Sequence, residues 1–158
     1  MDNQSTIQNG DVEITIAGTG IVHSEYNKDQ NREVQFLPIW AIPNKNNVEP
    51  RYDRISISGF QTRKELHQIL SLTCEDDGLW IYQEAWFHGG NCDKHKTHTY
   101  PIKKSGNGVY TLVIKGGVKI SGENLGLRDA IRIWDTHAIQ ISGENDSRIL
   151  IIDAPIIC

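Results

Sequence analysis

The chain has 158 residues and a formal net charge of −4, with 38% hydrophobic and 23% charged residues. This composition is that of a globular domain large enough to bury a core. The basic residues form no run of the kind that binds nucleic acid, and no apolar stretch approaches the roughly 20 residues that span a membrane.

The first ten residues, MDNQSTIQNG, are polar and lack the apolar core of a signal peptide. The three cysteines, Cys74, Cys92 and Cys158, cannot all pair within one chain, and their spacing matches no disulfide framework. These features predict reduced thiols and a cytoplasmic location.

Two β-strands are predicted in the first quarter of the chain. Val12, Ile14 and Ile16 alternate with polar residues, which indicates a half-buried strand. The stretch VQFLPIWAI, from Val34 to Ile42, is nearly all apolar and predicts a strand buried on both faces. Pro38 in its middle removes a ladder donor and suits an edge or a bulge.

A polar stretch follows, PNKNNVEPRYD from Pro43 to Asp53, and its prolines favour a linker. The next stretch, from Phe60 to Leu72, is where a short helix is predicted. Thr62 stands three residues before Glu65 and would form a weak capping box.

The remainder predicts several short strands. Leu79 to Phe87 alternates around aromatic residues, and Val109 to Gly122 reads as two strands joined in a hairpin at Gly116 and Gly117. AIRIWD, AIQIS and RILIID follow, separated by polar turns such as GENDS. Many short strands with such turns predict an all-β sandwich or barrel. The pattern also favours a core position for the aromatic residues Trp40, Trp80, Tyr82, Trp86 and Trp134.

The stretch GTGIVHSEYN, from Gly18 to Asn27, contains a candidate metal-binding pair. His23 and Glu25 stand two apart, so in an extended chain they project to the same side. An imidazole and a carboxylate together are two members of a common metal-binding set. The pair also fits a polar loop with Glu25 in solvent, and the spacing alone favours this second explanation because His-x-Glu is short and common.

A second group of zinc-type ligands lies in FHGGNCDKHKTHTY, namely His88, Cys92, His95 and His98. Since it lacks a second Cys-x-x-Cys half and is rich in polar residues, a solvated hairpin loop is favoured over zinc. His67 and His137 have no partner in the sequence and are expected to be structural or at the surface. The sequence contains no nucleophile elbow and no phosphate-binding glycine loop.

The stretch GDVEITIAGTGIVHSE, from Gly10 to Glu25, resembles the central motif of the pirin family, bicupins whose bacterial members include quercetin 2,3-dioxygenases. The family pattern runs close to G-D-V-Q-x-M-x-A-G-x-G-I-x-H-S-E. The resemblance continues in order through FLPIWAIPNKNNVEPRY, DDGLWIYQEAWFHGG and IRIWDTHAIQISGENDSRILIIDAPI. The departures are Glu13 where Gln is usual, Thr15 near the usual Met, and Pro38.

The resemblance implies an all-β fold of the cupin type, a double-stranded β-helix or jelly-roll barrel. The family has two such barrels, and this chain is expected to hold one complete C-terminal cupin and part of an N-terminal cupin. The implied division is a remnant of the N-terminal barrel over residues 1–43, a linker over 44–65 and the C-terminal cupin over 66–158.

The resemblance also implies a ligand set for one metal ion in the first barrel. The family uses two histidines of an early H-x-H motif and then the His and Glu of H-S-E, so His23 and Glu25 match the last two ligands. Glu25 would shuttle a substrate proton if the site were complete. The early motif has no counterpart in this sequence, and IKKSGNG in the second barrel offers no ligand. A divalent metal (Fe, Ni, Mn, Co, Cu or Zn) is therefore expected to bind weakly.

Three functions remain open from the sequence. The first is a flavonol dioxygenase whose site is completed by a partner chain or a symmetric dimer. The second is a non-catalytic oligomeric module with a binding or regulatory role. In the third, the chain is the downstream piece of an interrupted gene. The second is favoured, with little or no catalysis by the chain alone. Because half a barrel leaves apolar strands open, a homo-oligomer formed through the N-terminal strands, or pairing with another chain, is expected. Neither nucleic acid nor membrane is an expected partner.

Overall fold

A computed structural model of the chain describes residues 4–59, 65–94 and 96–156. These residues form ten β-strands, which confirms the all-β prediction. In the described part of the chain, no helix is long and apolar enough to span a membrane. The strands are β1 (Asp11–Ile16), β2 (Arg51–Ser56), β3 (Leu66–Ser71), β4 (Leu79–Trp80), β5 (Trp86–Cys92), β6 (Thr97–Pro101), β7 (Asn107–Ile120), β8 (Glu123–Leu125), β9 (Ala130–Ile133) and β10 (Ala138–Pro155).

The strands form a small sheet and a large one. β1 and β2 pair antiparallel, with Asp11 opposite Ser56 and Ile16 opposite Arg51. The large sheet has eight strands in the order β4-β3-β5-β10-β7-β8, with β6 also pairing β10 and β9 also pairing β7. This curled sheet lies where the resemblance predicts the C-terminal cupin.

The long strand β10 is the spine of the large sheet. Its first half pairs with β6 and its second half with β5, while β7 pairs along its other edge between Ile141 and Pro155. The register with β7 shifts between Gly143 and Ile149, where β10 bulges and bends. A Cβ atom on Gly143 would lie 2.5 Å from the carbonyl oxygen of Cys92, so the close approach of β5 at this bend needs glycine.

The main core lies inside the curl of this sheet. It contains fully buried aliphatic residues from both halves of β7 and β10, including Val109, Val118, Ile141 and Ile151. Because the two halves of each long strand contribute to one cluster, the bend closes the sheet on itself. Alternate residues point inward, as the period-two pattern predicts.

A second, smaller apolar cluster attaches the β1–β2 sheet to the large sheet. Ile14 of β1 packs with Leu70 and Leu79, and partly buried neighbours such as Ile55 and Phe87 surround them. The apolar face predicted for the strand from Val12 to Ile16 is therefore partly covered by residues of the large sheet. This contact positions the loop that follows β1.

Two predicted turns are wrong, because each lies inside a continuous strand. Gly116 and Gly117 were expected to end a hairpin, yet β7 runs through them from Asn107 to Ile120. GENDS was expected to separate two strands, yet β10 runs from Ala138 to Pro155. In both places the neighbouring long strand continues alongside, so the turn-forming residues make a bend and a bulge instead.

Three further elements predicted from the first part of the sequence differ from those in the structure. Residues 34–42 form no strand, since no described strand lies beside them to pair with. The strand predicted over residues 79–87 is divided between β4 and β5. The predicted helix is wrong over Leu66–Ser71, which pair with β5 as β3, while Thr62 lies outside the described residues.

The range predicted to be a linker contains β2, which pairs with β1. The proposed division at residues 43 and 65 stays a prediction. Two of the aromatic residues predicted in the core are exposed instead: Trp40 has 95% and Trp134 has 50% of its surface accessible. Trp80, Tyr82 and Trp86 are partly buried.

Candidate functional site

The loop that carries His23 and Glu25 leaves β1 through a fixed turn. The Gly20 N–H donates to the Ala17 carbonyl at 2.8 Å, and the Thr19 N–H donates to the Val48 carbonyl at 3.1 Å. Gly18 has a φ of 53°, and a Cβ atom there would lie 2.2 Å from the Val48 carbonyl oxygen. Glycine is therefore required where the loop begins.

The structure brings His23 and Glu25 together on the surface. The distance from His23 Nε2 to Glu25 Oε1 is 3.9 Å, and the two side chains are 64% and 55% exposed. Their neighbours Val22 and Tyr26 are exposed as well. The two side chains lie on the same side of the loop, as their spacing predicts, whereas their role as metal ligands stays a prediction.

The distance between the two atoms tests whether they suit one metal ion. Ligand atoms about 2.1 Å from a tetrahedral metal lie about 3.4 Å apart, so a small rotation of either side chain would bring both into range. However, no group of three or more His, Cys, Asp or Glu residues that could hold a metal occurs in residues 4–59, 65–94 and 96–156. These residues do not by themselves fit a complete metal site.

The second predicted ligand group is distributed over two strands. His88 and Cys92 lie in β5 and are buried, His98 lies in β6, and His95 lies outside the described residues. Burial raises the pKa of the Cys92 thiol to about 11, which disfavours the thiolate that binds zinc. Burial also lowers the pKa of His98. Cys74 and Cys92 are free thiols, and Cys158 lies outside the described residues.

A buried carboxylate that sequence reasoning missed lies inside the barrel. Asp153 of β10 is fully buried and accepts hydrogen bonds from the Lys103 N–H and from Asn107 Nδ2, each at 2.7 Å. The Tyr100 hydroxyl lies 3.3 Å from Asp153 Oδ2 and 3.3 Å from His88 Nδ1. We call these four side chains, His88, Tyr100, Asn107 and Asp153, the barrel polar cluster.

Burial shifts the pKa values of two members of this cluster, His88 and Tyr100. Burial first, and the charge of Lys103 second, lower the pKa of His88 to about 4. Burial and the neighbouring Asp153 carboxylate raise the pKa of Tyr100 well above its ordinary value. At neutral pH the imidazole of His88 and the phenol of Tyr100 are therefore uncharged. The arrangement satisfies buried polar atoms, which is a structural role.

The sequence carries one signal for this cluster. In RILIIDAP the alternation that buries Ile149 and Ile151 continues to Asp153, which places a carboxylate on an apolar face.

The two remaining histidines differ in environment: His67 is partly buried in β3, whereas His137 is exposed and its carbonyl accepts a hydrogen bond from the Ile102 N–H.

Comparisons with known families match both parts of the chain. Residues 68–154 match the family described as the quercetinase C-terminal cupin domain, and residues 1–41 match the pirin family. The first match alone covers more than half of the sequence.

Individual relatives give the same result. The chain is 31% identical over 155 residues to the quercetin 2,3-dioxygenase of Escherichia coli strain K12, a match that covers 98% of this chain and 65% of the relative. It is 27% identical to a pirin-like protein of Caulobacter vibrioides, with 98% and 66% of the two chains covered. The chain thus spans about 65% of the length of the curated relatives it matches.

Among solved structures, the chain is similar to the bacterial pirin YhhW from Escherichia coli in complex with nickel(II). The TM-score is 0.86 at 29% sequence identity, and the match covers 98% of this chain and 66% of that one. This similarity extends over both the β1–β2 sheet and the curled sheet.

Proposed function

This chain belongs to the pirin family of quercetinase-type cupin proteins, and on that premise we propose that its own residues supply only half of a metal site and turn over little or no flavonol. The half-site is the pair His23 and Glu25. Any further ligand would have to come from outside the described residues of this chain, for example from a longer form of the chain or from a second chain.

One observation carries this proposal. His23 Nε2 and Glu25 Oε1 lie 3.9 Å apart, and in the described ranges no third His, Cys, Asp or Glu joins them in a metal-binding group. Protein sites for divalent transition metals use three or more protein ligands. Two exposed donors in water compete poorly with hydration of the ion, so the expected affinity is low.

The test is the metal content of the purified chain after incubation with Ni(II) and gel filtration, together with its mass by light scattering. We expect a monomeric fraction to lose most of its nickel during filtration. The same fraction should oxidise quercetin far more slowly than the Escherichia coli relative assayed beside it. A monomer that retains one Ni(II) per chain, and loses it in the His23→Ala variant, would contradict the proposal.

A second candidate function is a metal-dependent dioxygenase of the quercetinase type that becomes active when other polypeptide completes the site. The observation that favours it is that His23 and Glu25 already lie on one side of the loop, in a turn that Gly18 fixes. In that enzyme Glu25 would accept the proton of the substrate hydroxyl. Turnover that appears only when a second polypeptide is added, and not with Glu25→Gln, would support this candidate.

A further inference from the structure

Two asparagine residues of this chain are followed by glycine, and the structure places them in opposite environments. The two pairs are Asn9–Gly10 and Asn107–Gly108. Asn9 is exposed in the turn before β1, whereas Asn107 is only 5% exposed at the start of β7. Such pairs matter chemically because glycine has no side chain to hinder attack of its backbone nitrogen on the preceding side-chain amide.

This attack is the first step of deamidation, which consumes one water molecule and releases one ammonia molecule. The glycine nitrogen loses its proton to solvent and bonds to Cγ of the asparagine. The side-chain nitrogen then takes up a proton and leaves as ammonia, so that a succinimide ring remains. Water opens the ring at either carbonyl and leaves aspartate or isoaspartate. Because both reacting groups belong to neighbouring residues, the reaction needs only the correct local geometry.

The turn that contains Asn9 leaves both reacting groups accessible. It is closed by one backbone hydrogen bond, from the Asp11 N–H to the Gln8 carbonyl at 3.0 Å. Within the described part of the chain, neither the Gly10 N–H nor the Asn9 side-chain amide has a hydrogen-bond partner. Attack requires rotation about the backbone bonds of Asn9. In an exposed turn this rotation costs little, because few contacts have to be broken.

Asn107, in contrast, is held by its side chain and by its backbone. Its Nδ2 atom donates to the buried Asp153 carboxylate at 2.7 Å and to the Glu84 carbonyl at 3.4 Å. Its own N–H donates to the Lys104 carbonyl at 3.1 Å, and its backbone pairs with Pro155 in β10. Attack there would require the amide to leave the barrel polar cluster and β7 to separate from β10. Such an opening costs a large part of the free energy of unfolding.

We propose that Asn9 is a site of spontaneous deamidation in the folded chain, and that the fold protects Asn107 from the same reaction. Isoaspartate would add one methylene group to the backbone of the turn, and aspartate would add a negative charge two residues before Asp11. The Asp11 carboxylate already accepts a hydrogen bond from the Gln8 N–H at 3.0 Å and lies 3.7 Å from Arg54. Either product therefore alters the turn from which β1 starts.

The test compares the two sites in folded and in unfolded protein. The full chain is incubated at mildly alkaline pH, where the glycine nitrogen loses its proton more readily. Samples taken over several weeks are digested, and mass spectrometry measures the conversion of each asparagine. We expect Asn9 to convert at least about tenfold faster than Asn107 in the folded chain. In urea, where neither site is protected, the two rates should become similar, since glycine follows both residues.

Two variants assign the released ammonia to its source. Asn9→Gln should abolish most of the ammonia release from the folded chain, because the longer side chain would have to close a larger ring. Asn46→Gln is the matched control, since Asn46 is also exposed but is followed by Asn47 instead of glycine. This control should release ammonia at the rate of the unsubstituted chain.

Each outcome decides for or against the proposal. Conversion of Asn9 that is no faster than that of Asn107 in the folded chain overturns it. A large difference between the sites that persists in urea also overturns it, because the local sequence and not the fold would then be the cause. A large difference that disappears in urea supports it. None of these results depends on metal binding, so the proposed half-site is tested separately.

Discussion

The guanidinium group of Arg51 lies over the indole ring of Trp80, 3.8 Å from the ring centroid. Arg51 begins β2 and Trp80 ends β4, so this contact connects the small sheet to the large one. Arg51 also donates to the Trp80 carbonyl oxygen and pairs with Asp53 at 3.2 Å. Together with the apolar cluster around Ile14, these contacts position the loop of His23 and Glu25.

We expect Arg51→Ala to lower the free energy of unfolding by about 1–2 kcal/mol, because it removes a partly buried cation–π contact and a hydrogen bond. The matched control is Arg132→Ala, since Arg132 lies over the half-exposed Trp134 at 4.9 Å and should contribute less than about 0.5 kcal/mol. Denaturant unfolding measures both variants. Equal effects of the two substitutions would show that Arg51 does not connect the sheets.

Gly18→Ala should destabilise the β1–β2 sheet because the new methyl group meets the Val48 carbonyl oxygen. Gly106→Ala is the matched control, since Gly106 also has a positive φ, 87°, but its Cβ would meet nothing within 4 Å. The control should cost about 1–2 kcal/mol from backbone strain alone. Gly18→Ala should cost clearly more and should accelerate hydrogen exchange in β1 and β2. Similar costs for the two variants would exclude the collision as the cause.

The sequence predicted the class of the fold because period-two alternation survives in the structure, for example at Ile139 and Ile141. It did not predict the continuity of β7 and β10. Gly116–Gly117 and GENDS contain residues that favour turns. However, β7 and β10 pair with each other before and after these residues, so the strands bend there instead of ending. Local propensity was overridden by pairing that only the folded chain provides.

The candidate site was predicted in part for a similar reason. His23 and Glu25 are two residues apart in an extended loop, so their side chains lie on the same side. Local spacing was therefore enough to predict their proximity. The partners of Asp153 are 46 to 53 residues away in sequence, and no local pattern indicates them. Burial of Trp40 was predicted from its apolar neighbours, but burial needs a covering surface, which the described residues do not provide.

The barrel polar cluster should be important for stability. Asp153→Asn keeps the shape of the side chain but replaces one acceptor with a donor, so either the Lys103 N–H or Asn107 would face another donor. We expect a loss of about 2–4 kcal/mol in the free energy of unfolding. Tyr100→Phe should cost about 1 kcal/mol, whereas Tyr110→Phe at an exposed position of β7 should cost almost nothing. Unfolding in urea tests all three, and a neutral Asp153→Asn would contradict the assignment.

His88 should make the stability of the barrel depend on pH in the acid range. Its pKa is lowered to about 4 in the folded chain, against about 6.5 in an unfolded one, so the unfolded state binds the proton more readily. The contribution of neutral His88 to the free energy of unfolding is therefore fully present above pH 6.5, and it is lost as the pH falls towards 4.

One proton accounts for at most about 1.4 kcal/mol per pH unit in that window. His88→Gln, which does not titrate, should reduce the slope of unfolding free energy against pH by up to this amount. His137→Gln, at an exposed position, should leave the slope as it is. Because buried carboxylates also contribute to acid unfolding, the difference between the two variants is the quantity to measure. If both variants keep the slope of the unsubstituted chain, His88 is not held neutral by burial in the barrel.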